Sequence, residues 1–137
     1  MPKLDDCHYQ IARALQTDGW QIMQNGLYVD DEFTNALYID IQAMRPGNGT
    51  LARSIFVEAK CFPSPRKTPD LHRAIGQYLV YRVILDDEGF SDPLYMAVPA
   101  DTFEEYFNER LLKAAKKHSI KLVVVDIEQE RVVQWIE

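Results

Sequence analysis

Apolar and polar residues alternate most regularly in two stretches, "ALYIDIQA" at 36–43 and "LARSIFVEAKCF" at 51–62. In the first, Leu37, Ile39 and Ile41 point to one side of an extended chain, and Tyr38, Asp40 and Gln42 to the other. In the second, Ile55, Val57, Ala59 and Cys61 share a face, while Phe56, Glu58, Lys60 and Phe62 share the opposite one. The intervening "MRPGNGT" is rich in turn formers. The two runs therefore predict an antiparallel hairpin, and a turn centred on Gly49 sets Asp40 directly opposite Glu58.

Helical spacing governs three other regions. Asp5 to Gln16 carries an apolar stripe of Tyr9, Ile11, Ala12, Ala14 and Leu15, with Asp5 or Asp6 as N-cap and Gly19 closing the last turn. A second helix opens with Thr68 as N-cap, Pro69 at its first helical position and Asp70 complementing the dipole, and runs to about Leu85. Asp101 and Glu104 have capping-box spacing at the head of a third, "FEEYFNERLLKAAKK". Trp20 to Met23, Leu94 to Val98, "IKLVVVD" and "RVVQWI" read as strands, and "QNGLYVDDEFTN" as turn-rich chain. The order α-β-β-β-α-β-α-β-β predicts one α/β domain over residues 1–137, with a mixed central sheet and flanking helices.

At 137 residues and 47% hydrophobic the chain can build one core. No apolar run approaches the ~20 residues that span a bilayer. The first residues, "MPKLDDCHYQ", hold acids where a secretory signal has an apolar segment. A cytoplasmic protein with no membrane attachment is expected, and Cys7 and Cys61 are accordingly expected to be free thiols. His8, His72 and His118 are too dispersed for zinc-ligand spacing. The net charge of −6 argues against coating nucleic acid by charge alone, but it allows an enzyme that meets a phosphate at one metal-loaded spot.

The polar faces of the hairpin supply such a spot: Asp40 on one strand, Glu58 and Lys60 on the next. In the helix that follows, Gln77 is the one polar member of the stripe Ala74, Gln77, Tyr81 and Ile84. These types suit metal-assisted phosphodiester hydrolysis. Asp40 and Glu58 would bind Mg²⁺ or Mn²⁺ through oxygen, with the Ala59 carbonyl as a further ligand. Lys60 would steady the attacking hydroxide or developing negative charge, and Gln77 would position the water or a phosphate oxygen. The ordinary alternative is a solvated Glu-x-Lys pair, contributing roughly 0.2–1 kcal/mol, with Gln77 a satisfied amide. His8 is expected near the sheet edge. Arg45, Arg53, Arg66, Lys67 and Arg73 are expected close to the site, as phosphate-backbone contacts or as plain surface charge.

Asp40, Glu58-Ala59-Lys60 and Gln77, in that order, resemble the pattern of the PD-(D/E)XK nuclease superfamily. The resemblance implies a restriction-endonuclease-like fold. A longer string, "LQTDGWQI", "LYIDIQA", "FVEAKCF", "AIGQYLVYR", "LYMAVPADTFEEYF", "IKLVVVD" and "VVQWI", resembles the XisH-type family, the fdxN-element excision controlling factors of cyanobacteria. That resemblance implies a role in developmentally timed, site-specific excision of a DNA element, with DNA and a XisI-type protein as partners; the resemblance to the nucleases, many of which act as pairs, implies a homodimer as an assembly. One departure stands out. Related junction-resolving nucleases place a Glu in the first helix, and here His8 sits near that place. Two functions are therefore open: a metal-dependent endonuclease, or a non-catalytic regulatory protein that binds DNA or a XisI-type partner.

Overall fold

The protein, seen here as a computed structural model, is described over residues 7–24, 26–31, 35–47 and 52–137. It is a mixed α/β fold. Its elements are α1 (His8–Thr17), β1 (Gln21–Gln24), β2 (Leu27–Asp31), β3 (Asn35–Ile39), β4 (Ile41–Arg45), β5 (Arg53–Ala59), α2 (Lys67–Asp87), β6 (Leu94–Pro99), α3 (Ala100–Tyr106), α4 (Glu109–Lys117), β7 (Lys121–Asp126) and β8 (Arg131–Ile136). Six strands form one sheet in the order β1-β4-β5-β6-β7-β8, while β2 and β3 pair with each other. The central pairs β5/β6 and β6/β7 are parallel, and β1/β4, β4/β5 and β7/β8 are antiparallel.

Sequence explains this arrangement. All six residues of β6 and the middle four of β7 are buried, as continuous apolar runs of a two-sided sheet must be. Helices cover both faces. On one, Ile11 and Leu15 of α1 meet Ile41, Ile55, Val57, Ala97 and Val123. On the other, Leu71 and Tyr78 of α2 meet Phe56, Met96, Leu122 and Val124, with Ala115 of α4. The strand β8 alternates exposed and partly buried residues along most of its length, as one edge of the sheet.

The hairpin register is as expected: Ile41 pairs Val57, Ala43 pairs Ile55 and Arg45 pairs Arg53. The strand leading into it is not. The run 36–43 divides at Asp40, where the chain leaves the β2/β3 hairpin and bends into the main sheet. Ile39 consequently packs on the α2 face and Ile41 on the α1 face, although strict alternation would place them together. The stretch expected to be turn-rich holds β2, which pairs Tyr28 with Tyr38 and Leu27 with Ile39. Its Asp and Asn residues outweighed the short apolar run Leu27-Tyr28-Val29.

Helix ends differ from expectation too. The proposed caps Asp5 and Asp6, and the turn centre Gly49, lie outside the described residues. Cys7 is the N-cap of α1. Gly19, at φ 98°, closes that helix as expected, and the next residue's Trp20 N–H returns to the Leu15 carbonyl at 3.0 Å. Arg66, rather than Thr68, precedes α2. The third predicted helix is two, because Asn108 interrupts it and caps α4, its Oδ1 accepting from the Leu111 N–H at 2.9 Å. Asp101 accepts instead from the N–H of Thr102, so the capping box with Glu104 is not formed.

The largest correction concerns the cysteines. Cys7 and Cys61 are joined in a disulfide with Cα atoms 5.7 Å apart. The physical reason lies in the faces. Cys61 continues the apolar face of β5 beyond the strand end, and α1 packs on that face with Cys7 at its first turn. Among the described residues no helix is long and apolar enough to cross a membrane.

Candidate active site at the ends of β4 and β5

The bend at Asp40 delivers its carboxylate to the end of β5. Asp40 Oδ2 accepts the Ala59 N–H at 2.9 Å, Asp40 lying one residue before Ile41 and Ala59 two residues after Val57 of the last ladder pair. Its side chain also interacts with that of Glu58. Glu58 lies on the α2 face of β5, and Lys60 follows just past the strand, held in place by its N–H to the Ala97 carbonyl at 3.1 Å. Lys60 Nζ stands 3.8 Å from Glu58 Oε1. Asp40 and Glu58 are 8% and 7% exposed, which excludes the solvated surface pair.

Burial of two neighbouring carboxyls disfavours charging both of them. Burial raises the Asp40 carboxyl above its usual range. Its contacts with Glu58 and the Ala59 N–H, and electrostatic interactions with His8 and Lys60, pull the other way without cancelling that effect. His8 is a helix residue, as expected, and is fully buried in the first turn of α1.

An open cavity of about 330 Å³ lies beside the pair, lined by Lys60 and Phe62 on one side and by Asp70, Arg73, Ala74 and Gln77 of α2 on the other. Gln77 thus reaches the same cavity as Lys60. Its Nε2 donates to the Tyr81 hydroxyl at 2.7 Å. Tyr81 is the site residue that sequence reasoning missed. Its hydroxyl is shifted upward by burial first, and then by the charges of Glu58 and Asp40. The signal was available, since Tyr81 lies four residues after Gln77 on the same stripe.

The basic residues sort differently from expectation. Arg73 lines the cavity, 3.7 Å from Asp70. Lys67 bends back to the Phe62 and Ser64 carbonyls at 2.7 and 3.2 Å. Arg45 and Arg53 stand at the far ends of β4 and β5, away from Asp40 and Ala59. Arg45 covers the Trp20 ring at 4.6 Å and bonds Asp18 Oδ2 at 3.1 Å. Among the described residues, no group of three His, Cys, Asp or Glu side chains is arranged to hold a metal ion. Asp40 and Glu58 supply two carboxylates.

The raised Asp40 pKa gives a signed prediction. The folded state holds this proton more tightly than the unfolded chain, so stability is greatest when Asp40 is protonated and falls as pH rises through its folded pKa. Asp40→Asn keeps an acceptor for the Ala59 N–H and gives Glu58 an amide donor. At pH 7 it is expected to stabilise the fold by on the order of 1 kcal/mol. The gain should shrink as pH falls and vanish at about pH 3 and below, under the ordinary aspartate value, where the wild type is mostly protonated in both states. Urea midpoints of the two proteins at both pH values check this.

The geometry defines an α/β protein whose sheet ends in a buried acid pair and a lysine beside an open cavity. The XisH protein family model matches residues 1–133, and the chain belongs to the XisH family. A solved XisH family protein from Nostoc punctiforme is 32% identical, with a TM-score of 0.84 over 97% of this chain and 100% of that one. A solved fdxN element excision controlling factor protein from Anabaena variabilis gives the same values: 32% identity, a TM-score of 0.84, and 97% and 100% coverage. No curated protein matches.

Proposed function

We propose that the chain is a controlling factor for excision of a DNA element, acting by binding, with a XisI-type protein as its partner. The observation that carries this reading is full-length similarity to the Anabaena variabilis excision controlling factor. The site chemistry supports a binding role. Asp40 is engaged by the Ala59 N–H and by Glu58, Lys60 stands against Glu58, and Gln77 is committed to Tyr81. These contacts tie the polar groups to one another at the end of the sheet. The net charge of −6 favours a protein partner over direct, charge-driven binding of DNA.

The test is co-elution of the purified chain with a XisI-type protein on a sizing column. The complex is expected to form, and to survive Asp40→Asn/Glu58→Gln. Separate elution of the two proteins, with no DNA binding by the chain, would overturn the reading.

A second reading is a PD-(D/E)XK-type, restriction-endonuclease-like nuclease. It is favoured by one observation, the convergence of Lys60 and Gln77 on a cavity beside the Asp40–Glu58 pair. The donor set suits a hard divalent cation, since a buried carboxyl that holds a proton can exchange it for metal. Asp40, Glu58 and the Ala59 carbonyl would hold Mg²⁺ or Mn²⁺. Bound there, such an ion would acidify a water for attack on a phosphodiester. Lys60 would neutralise the developing charge and Gln77 would orient the phosphate, with a homodimer able to address two strands. Calorimetric titration of Mn²⁺ separates the readings. Heat from the wild type that is lost in Asp40→Asn/Glu58→Gln favours the nuclease, and none from either favours the binding role.

A further inference from the structure

We propose that the Cys7–Cys61 disulfide is a thiol-operated strap on the acid site, fixing the site when closed and loosening it when reduced. The strap concerns the geometry of the site, so it stands under either functional reading. Its position carries the argument. Cys61 directly follows Lys60, and Cys7 directly precedes His8, a fully buried ring of α1 within electrostatic reach of Asp40. One covalent bond therefore ties together the two segments that approach the acid pair from separate elements, the start of α1 and the end of β5.

The chain beyond Cys61 is held against its own preference. Phe62 adopts φ 53°, in the left-handed region that side chains with a Cβ avoid. Two ties hold it there: the disulfide on one side, and on the other the Lys67 ammonium, which binds the Phe62 carbonyl. Opening the first tie gives Phe62 a route to relax, and Lys60 lies two residues away. Strain of this kind persists only where the surroundings impose it.

The bond is also reachable. Both cysteines line an open cleft of about 300 Å³ with Lys67, Pro99, Asp101 and Ile127. Cys61 is partly exposed, whereas Cys7 is buried. An external dithiol would attack Cys61 Sγ as its thiolate. The S–S bond breaks, a mixed disulfide forms on Cys61, and the Cys7 sulfur leaves as a thiolate at the N-terminus of α1, where the helix dipole favours negative charge. The second thiol of the reductant then displaces Cys61. Two electrons and two protons pass to the protein, leaving two cysteine thiols and one cyclic disulfide of the reductant. A small-molecule disulfide reverses the exchange.

The experiment treats the whole chain with dithiothreitol without denaturant. It follows thiol release, circular dichroism and amide hydrogen exchange. The expected result is release of both thiols with the fold retained. Exchange should rise about tenfold or more in residues 8–11 and 58–62, and stay unchanged in Leu122–Val125 of β7. A Cys7→Ser/Cys61→Ser variant should show the same pattern without reductant. Thiols released only in denaturant, global unfolding on reduction, equal loosening of β7, or a double variant that exchanges like the oxidised protein would each overturn the proposal.

Discussion

Unfolding the reduced chain is expected to take about 4 kcal/mol less than unfolding the oxidised one, because the Cys7–Cys61 bridge closes a loop of 54 residues in the unfolded state. The bridge limits how far the unfolded chain can spread, and reduction restores that freedom. A domain of 137 residues typically carries roughly 7–20 kcal/mol of stability, so the reduced chain should remain folded at room temperature. The measurement is a pair of urea curves, with and without reductant. The midpoint should fall on reduction, and the slope should steepen somewhat because the unlinked chain exposes more surface. Equal midpoints would mean that strain at Phe62 offsets the whole entropic gain. The exchange experiment above reads a different quantity, local opening within the folded state, so the two results separate a staple on the fold from a control on the site.

The disulfide also marks where sequence reasoning stopped short. The acids of the first ten residues speak for a reducing compartment and free thiols, but no local pattern reports that helix α1 lies on the apolar face of β5, which brings the Cα atoms of Cys7 and Cys61 to 5.7 Å. By contrast, the β4/β5 register was legible, because turn composition and two alternating runs constrain pairing strongly. The parallel core was legible as well, since "LYMAVP" and "LVVV" are apolar on both faces.

Asp40 shows a subtler limit. Its nearness to Glu58 followed from the register, but its environment did not. Alternation through "LYIDIQ" concealed a bend, and the bend is what turns the Asp40 carboxylate onto the Ala59 N–H. A pattern of period two cannot report that a chain changes sheets between two residues that both look strand-like. Gln77 and Tyr81 illustrate the same point on a helix. Spacing put them on one stripe, but only the folded structure spends the amide of one on the hydroxyl of the other.

Tyr78→Phe is expected to cost roughly 2–4 kcal/mol, although it removes a single oxygen. The Tyr78 hydroxyl donates to the Leu94 carbonyl at 2.7 Å and accepts from the Lys121 N–H at 3.1 Å. It thereby ties α2 to the first residues of β6 and β7, at the parallel centre of the sheet. Burial raises its pKa, so the donor keeps its proton at neutral pH. Without the oxygen, two backbone groups lose a partner in a place where Tyr78 itself is 2% exposed. Tyr81→Phe is the matched control, a half-buried hydroxyl with one side-chain partner, and it should cost less than about 1 kcal/mol. It should instead release Gln77 into the cavity beside Lys60. Urea midpoints of the two variants test the first contrast. If Tyr78→Phe proved as mild as Tyr81→Phe, water would have replaced the lost oxygen, and the clamp between α2 and the sheet would be apolar packing alone. If the contrast holds, α2 divides its labour by face: Tyr78 fixes the helix to the sheet, and that fixed placement sets Gln77 and Tyr81 against the acid pair.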